Sequence, residues 1–72
     1  MSYYKARRNL VRYIITLIQN RSVIELNEII FFGLKEFGFG KKSILNILEE
    51  IENAGFIQVK GNKIFSKIKE NK

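Results

Sequence analysis

The 72-residue chain contains no cysteine, histidine, proline or tryptophan. Without cysteine there is no disulfide framework, and without cysteine or histidine the usual structural zinc sites have no ligands. The same absences remove the commonest nucleophile–base pairs of covalent catalysis. The chain is therefore not expected to be an enzyme, and no cofactor or metal is expected. No apolar run approaches the roughly 20 residues of a membrane span. The basic first eight residues are not followed by an apolar signal stretch and cleavage site. The expected location is intracellular, cytoplasmic or nucleoid-associated, away from membranes. With proline absent, punctuation falls to Gly33, Gly38, Gly40, Gly55 and Gly61.

What is present suits a folded chain: 46% of residues are hydrophobic and 28% charged. The length allows one domain, residues 1–72, with a polar tail expected to fray from about residue 66. A chain this short buries only about 60% of the surface its unfolded form exposes, so a homodimer is a natural way to enlarge the core. The net charge of +6 is unevenly placed. Residues 1–13 carry Lys5, Arg7, Arg8 and Arg12 and no acid, whereas residues 14–56 carry four cations and six acids. Residues 57–72 carry five lysines against Glu70. If folding brings the two ends to one face, they form a surface for a polyanion; otherwise the lysines serve solubility.

Apolar spacing predicts a helix from about Ser2, a plausible N-cap, to Asn20, with Tyr3, Ala6, Leu10, Ile14 and Leu17 on one face. Lys5, Arg8, Arg12, Thr16 and Gln19 fall opposite, with Ile15 beside that stripe. Ser22 to Leu26 suits a brief strand, and Asn27 an N-cap for a helix from Glu28 to Phe37. That helix is apolar nearly all round, so it should be the most buried or be covered by a partner chain. Gly33 within it calls for a close neighbouring helix. Gly38-Phe39-Gly40 reads as a tight turn with Phe39 plugging the core, before a third helix from Lys41 to Ala54 with Gly55 at its C′ position. Ile44, Ile47, Leu48 and Ile51 form its apolar face. Two β-prone runs flank Gly61-Asn62, a hairpin pair that sets Lys60 opposite Lys63 and Val59 opposite Ile64.

The order helix, strand, helix, turn, helix, hairpin resembles the winged helix-turn-helix family, an α+β fold of three helices, a short strand and a C-terminal β-hairpin wing. The run from Ser43 to Ile57, ending Asn53-Ala54-Gly55-Phe56-Ile57, is similar to that family's recognition helix entering its first wing strand. The resemblance covers about residues 3–68. It implies a sequence-specific double-stranded DNA-binding protein, a transcriptional regulator, with the N-terminal half of helix three in the major groove and the wing tip over adjacent backbone. In size and composition the chain resembles small regulators of viruses and plasmids of thermophilic archaea. Residues 27–40 are more aromatic than that family's usual second helix and turn.

Helix three reverses the charge order that its dipole favours. Lys41 and Lys42 stand at the N-terminus, while Glu49, Glu50 and Glu52 stand toward the C-terminus. Loose placement of surface charge is one explanation. The other is that Lys41 and Lys42 meet phosphate, with the glutamates limiting how deeply the helix inserts. Lys42, Ser43 and Asn46 point off the apolar face, and Asn46 is the expected base reader because asparagine pairs bidentately with adenine. Lys60, Asn62 and Lys63 at the hairpin tip, and Lys5, Arg8 and Arg12 on helix one, are expected phosphate contacts. Gly38-Phe39-Gly40-Lys41-Lys42-Ser43 lacks the spacing of a phosphate-binding loop.

Two competing readings accompany the regulator. Helix one, through Tyr3, Tyr4 and Ile15, is the expected homodimer seam of a DNA-binding dimer. A winged-helix protein-interaction module, an accessory subunit of a polymerase or chromatin complex, would instead use the aromatic helix two and its turn, Phe31, Phe32, Phe37 and Phe39. An RNA binder would need an exposed stacking platform, for which the strands offer at most Phe65.

Overall fold

A computed structural model describes residues 3–67. Six elements follow in order: α1 Tyr3–Arg21, β1 Val23–Glu25, α2 Leu26–Phe37, α3 Lys41–Asn53, β2 Ile57–Lys60 and β3 Lys63–Ser66. The fold is α+β, with three helices and a three-stranded antiparallel sheet in the order β1-β3-β2. This layout is compatible with a winged helix. No helix among the described residues is long and apolar enough to cross a membrane.

α1 buries Ala6, Leu10, Ile14 and Ile18, one residue every four. Steps of four advance 400° around the helix, so this ridge drifts 40° per step and suits helices that cross at an angle. It also corrects the expected stripe: Ile18 is fully buried, Leu17 only half-buried and Tyr3 exposed. Ser2, the expected N-cap, lies outside the described residues. Ser22 ends α1 in the left-handed region at φ 68°, while its N–H still donates to Ile18. A non-glycine residue there costs about 1 kcal/mol. The bend turns the chain directly into β1.

α2 begins at Leu26, so Asn27 lies inside its first turn and is not its N-cap. The flanking residue is Glu25, which makes no side-chain capping bond. Tertiary structure satisfies the start of the helix instead: the Leu26 N–H donates to the Asn62 carbonyl at the hairpin tip, 2.7 Å away. Nor is α2 the most buried helix, because only Leu26, Ile29 and Gly33 are enclosed. It ends at Gly38, φ 73°, where the Gly38 and Phe39 N–H groups reach the Leu34 and Gly33 carbonyls. Phe39 then turns into the core, while Gly40 is in ordinary extended backbone.

α3 closes with Ala54 as C-cap and Gly55 at φ 93°. The Gly55 N–H donates to Glu52 and the Phe56 N–H to Ile51, the paired bonds of a Schellman ending. The hairpin register is as expected, Val59 opposite Ile64 and Lys60 opposite Lys63. Gly61 alone of the two tip residues takes positive φ, the pattern of a II′ turn. The expected fraying from residue 66 is corrected at its start: Ser66 pairs with Ile57 in β3 and donates its N–H to the Ser22 carbonyl. Residues 68–72 lie outside the described part.

One aliphatic core joins all six elements, and no polar or charged described residue is buried in it. Beside it runs a line of rings. Tyr13 stacks on Phe32 at 3.8 Å between centroids, Phe32 meets Phe37 at 5.9 Å, Phe37 meets Phe39 at 6.0 Å and Phe39 meets Tyr3 at 5.7 Å. This line clamps the α2–α3 turn against α1. At the centre, a Cβ added to Gly33 would stand 2.6 Å from Ile44 Cδ1, 3.0 Å from Ile44 Cγ1 and 3.7 Å from Leu10 Cδ2. Alanine gains about 1 kcal/mol over glycine in a helix interior. Against that, overpacking a core typically costs about 1–3 kcal/mol. Gly33→Ala is therefore expected to be net destabilising in urea unfolding, and to cost less in an Ile44→Val background. Equal costs in both backgrounds would mean that the Ile44 contact is not responsible.

Candidate nucleic-acid interface

α3 is held by Ile44, Ile47, Leu48 and Ile51, all buried. At 100° per residue, the line farthest from these four is Lys42, Asn46, Glu49 and Asn53, and all of them are exposed. Lys41 is exposed and Ser43 half-buried. The N-terminal half thus presents Lys41, Lys42, Ser43 and Asn46. The first turn holds no acid, and Gly40 provides no side-chain cap. The first N–H groups of any α-helix lack intrahelical acceptors, which leaves a partial positive charge beside the two lysines.

The three acids of α3 differ in circumstance. Glu50 is ion-paired with Arg7 of α1. Glu52 accepts the Val59 N–H at 3.1 Å. Val59 lies on β2, an edge strand, so this carboxylate caps a backbone donor that would otherwise face outward. Two of the three acids that oppose the helix dipole therefore have structural partners. Only Glu49 stands on the outward line.

The hairpin tip presents Lys60, Asn62 and Lys63, all exposed. Lys60 and Lys63 lie directly opposite each other, an unfavourable like-charge pair. Glu25, opposite Lys63 on β1, offsets it with a 3.2 Å ion pair. Because β1 reaches Lys63 and the Leu26 N–H holds Asn62, only the two turn residues extend past the sheet. The hairpin tip is short and tied down.

Lys5, Arg8 and Arg12 are exposed on the outward face of α1. α1 and α3 turn their buried faces to the same core, and Arg7 of α1 reaches Glu50 of α3. The structure thus groups Lys41, Lys42, Ser43 and Asn46 on α3, Lys60, Asn62 and Lys63 on the tip, and Lys5, Arg8 and Arg12 on the outward face of α1. The link between α3 and the hairpin runs through the C-terminal half of α3, at Glu52. Of the expected seam residues, Tyr4 is 77% exposed, Tyr3 53% exposed and Ile15 half-buried.

The expected aromatic partner surface is corrected. Phe39 is buried, and Phe32 and Phe37 are half-buried in the ring line, which leaves only Phe31 exposed. Leu34, one turn on, is exposed beside it and was not anticipated. The ion pairs Arg7–Glu50, Arg21–Glu28 and Glu25–Lys63 were not anticipated either. The last follows from the β1–β3 register, which no local pattern specifies. Among the described residues no three His, Cys, Asp or Glu side chains are grouped to hold a metal ion. No family model, curated protein or solved structure matches the chain.

Glu52→Ala is expected to expose the Val59 amide, raising its hydrogen-exchange rate by NMR and lowering stability by about 1 kcal/mol. An unchanged exchange rate would mean that the carboxylate does not guard this edge.

Proposed function

We propose that this chain is a winged-helix protein that binds double-stranded DNA and regulates transcription, with α3 docking in the major groove. The observation that carries the reading is the division of α3. Four aliphatic side chains lock one face into the core, while the opposite face offers Lys42 and Asn46 one turn apart. Lysine and asparagine suit guanine and adenine edges respectively. Lys41, beside the helix N-terminus, suits a phosphate, and Ser43 suits either a base edge or the backbone. Lys60, Asn62 and Lys63 on the short wing reach the neighbouring backbone. The α1 cations Lys5, Arg8 and Arg12 supply further contacts to the flanking backbone.

A second reading is supported by Phe31 and Leu34: a winged-helix subunit that docks on another protein, with no DNA contact. The two readings separate in fluorescence anisotropy with random-sequence duplex and matched single strand, titrated across a salt series. The DNA reading expects duplex preference and log affinity falling linearly with log salt. Lys41→Ala is then expected to weaken all duplexes alike and reduce the salt slope by about 1. Asn46→Ala is expected to change the base preference recovered by selection from random duplexes. Absence of duplex binding at low salt would refute the DNA reading and leave the docking subunit.

A further inference from the structure

The outward face of α2 differs in chemistry from those of α1 and α3. Phe31 and Leu34 lie one turn apart on it, 65% and 57% exposed. A single exposed apolar residue is ordinary, but two adjacent ones on a face otherwise free to be polar are less so. A second copy of the chain would bring the same net charge of +6, and most of the surface resists such a partner. Across a two-fold axis, Arg8 and Arg12 of α1 would confront their own image, and no acid lies on that helix. At the hairpin tip, Lys60 and Lys63 have one acid, Glu25, between them.

α2 carries charges of both signs, in an arrangement that closes on itself. Glu28 and Lys35 are seven residues apart, about two turns or 10 Å along the axis, and nearly in line on one flank of Phe31. When two copies of a helix pack antiparallel about a two-fold perpendicular to them, each flank meets the same flank of the other with its ends exchanged. Glu28 then lies beside the second copy's Lys35, and Lys35 beside the second copy's Glu28. Phe31 and Leu34 meet Leu34 and Phe31 across the axis. Both charged groups have room for the pairing. Glu28 uses Oε2 for Arg21 at 2.6 Å and its side chain remains 38% exposed, and a carboxylate has acceptor sites for two cations. Lys35 is exposed, with its Nζ 5.9 Å from the Phe31 ring centroid, already beside the apolar patch.

We propose that α2 is a homodimerisation surface on which a second copy docks antiparallel through Phe31 and Leu34, closed by two reciprocal Glu28–Lys35 ion pairs. The proposal does not depend on DNA binding. Sedimentation equilibrium of the full chain over a range of concentrations tests it, with melting by circular dichroism as the check on folding. The wild type is expected to dimerise, and Phe31→Asp to be monomeric with an unchanged melt. Glu28→Lys and Lys35→Glu each set like charges together twice, and each is expected to weaken the dimer by about tenfold or more. Lys35→Glu leaves the Arg21–Glu28 pair in place, so its effect cannot arise from loss of that bond. The double variant Glu28→Lys/Lys35→Glu restores both pairs with reversed polarity and is expected to recover most of the dimer. Any of three results overturns the proposal: a wild type monomeric throughout, a dimer that survives Phe31→Asp but is broken by Tyr4→Asp on α1, or no recovery in the double variant. A monomeric wild type that captures a different protein through Phe31 would assign the face to that partner instead.

Discussion

The three helices meet where Gly33 has no side chain. Ile44 of α3 occupies the space that a Cβ would take, and Leu10 of α1 closes the contact from the other side. Ile44 is the first apolar residue of α3, so its seating orients the N-terminal half of that helix. Once Ile44 points into the gap, the 100° rotation per residue sends Lys42 and Asn46 outward. A glycine that weakens α2 locally thus lets the candidate reading face be held close to the core. The ring line from Tyr13 to Tyr3 supports the same junction by holding the intervening turn against α1.

Charge is divided between internal support and outward display. Glu25, Glu28, Glu50 and Glu52 each join two elements: β1 to β3, α2 to α1, α3 to α1 and α3 to β2. Exposed pairs of this kind contribute little stability singly, and their value here lies in fixing the relative placement of neighbours. Exposed cations stand on the outside of α1, at the start of α3 and at the hairpin tip. With a net charge of +6 and no charged described residue buried, the exterior is positive on balance, the condition for attraction to a polyanion.

Helix existence, the hairpin register and the Gly55 ending were legible because each depends on residues within a few positions of one another. The four-residue steps of Ala6, Leu10 and Ile14, the Gly61-Asn62 turn and the apolar quartet of α3 are local signals. Asn27 misled because α2 begins one residue earlier, at Leu26, whose N–H is held by the Asn62 carbonyl from the distant hairpin tip. Ser66 looked like the start of a tail because its two partners, Ile57 and Ser22, come from separate strand and loop segments. The aromatic surface of α2 was overcounted for a related reason: Phe32 and Phe37 pack against the core, where Tyr13 and Phe39 meet them.

Periodicity, glycine placement and turn chemistry were therefore enough to establish an α+β chain of three helices and a hairpin, and to nominate the outward residues of α3. Those properties follow from rotation per residue and from allowed backbone angles, both of which are local. Which face of α2 stays exposed and how far the hairpin tip projects were decided only by tertiary structure. Each depends on what packs against an element from elsewhere in the chain, and a local pattern carries no record of that neighbour.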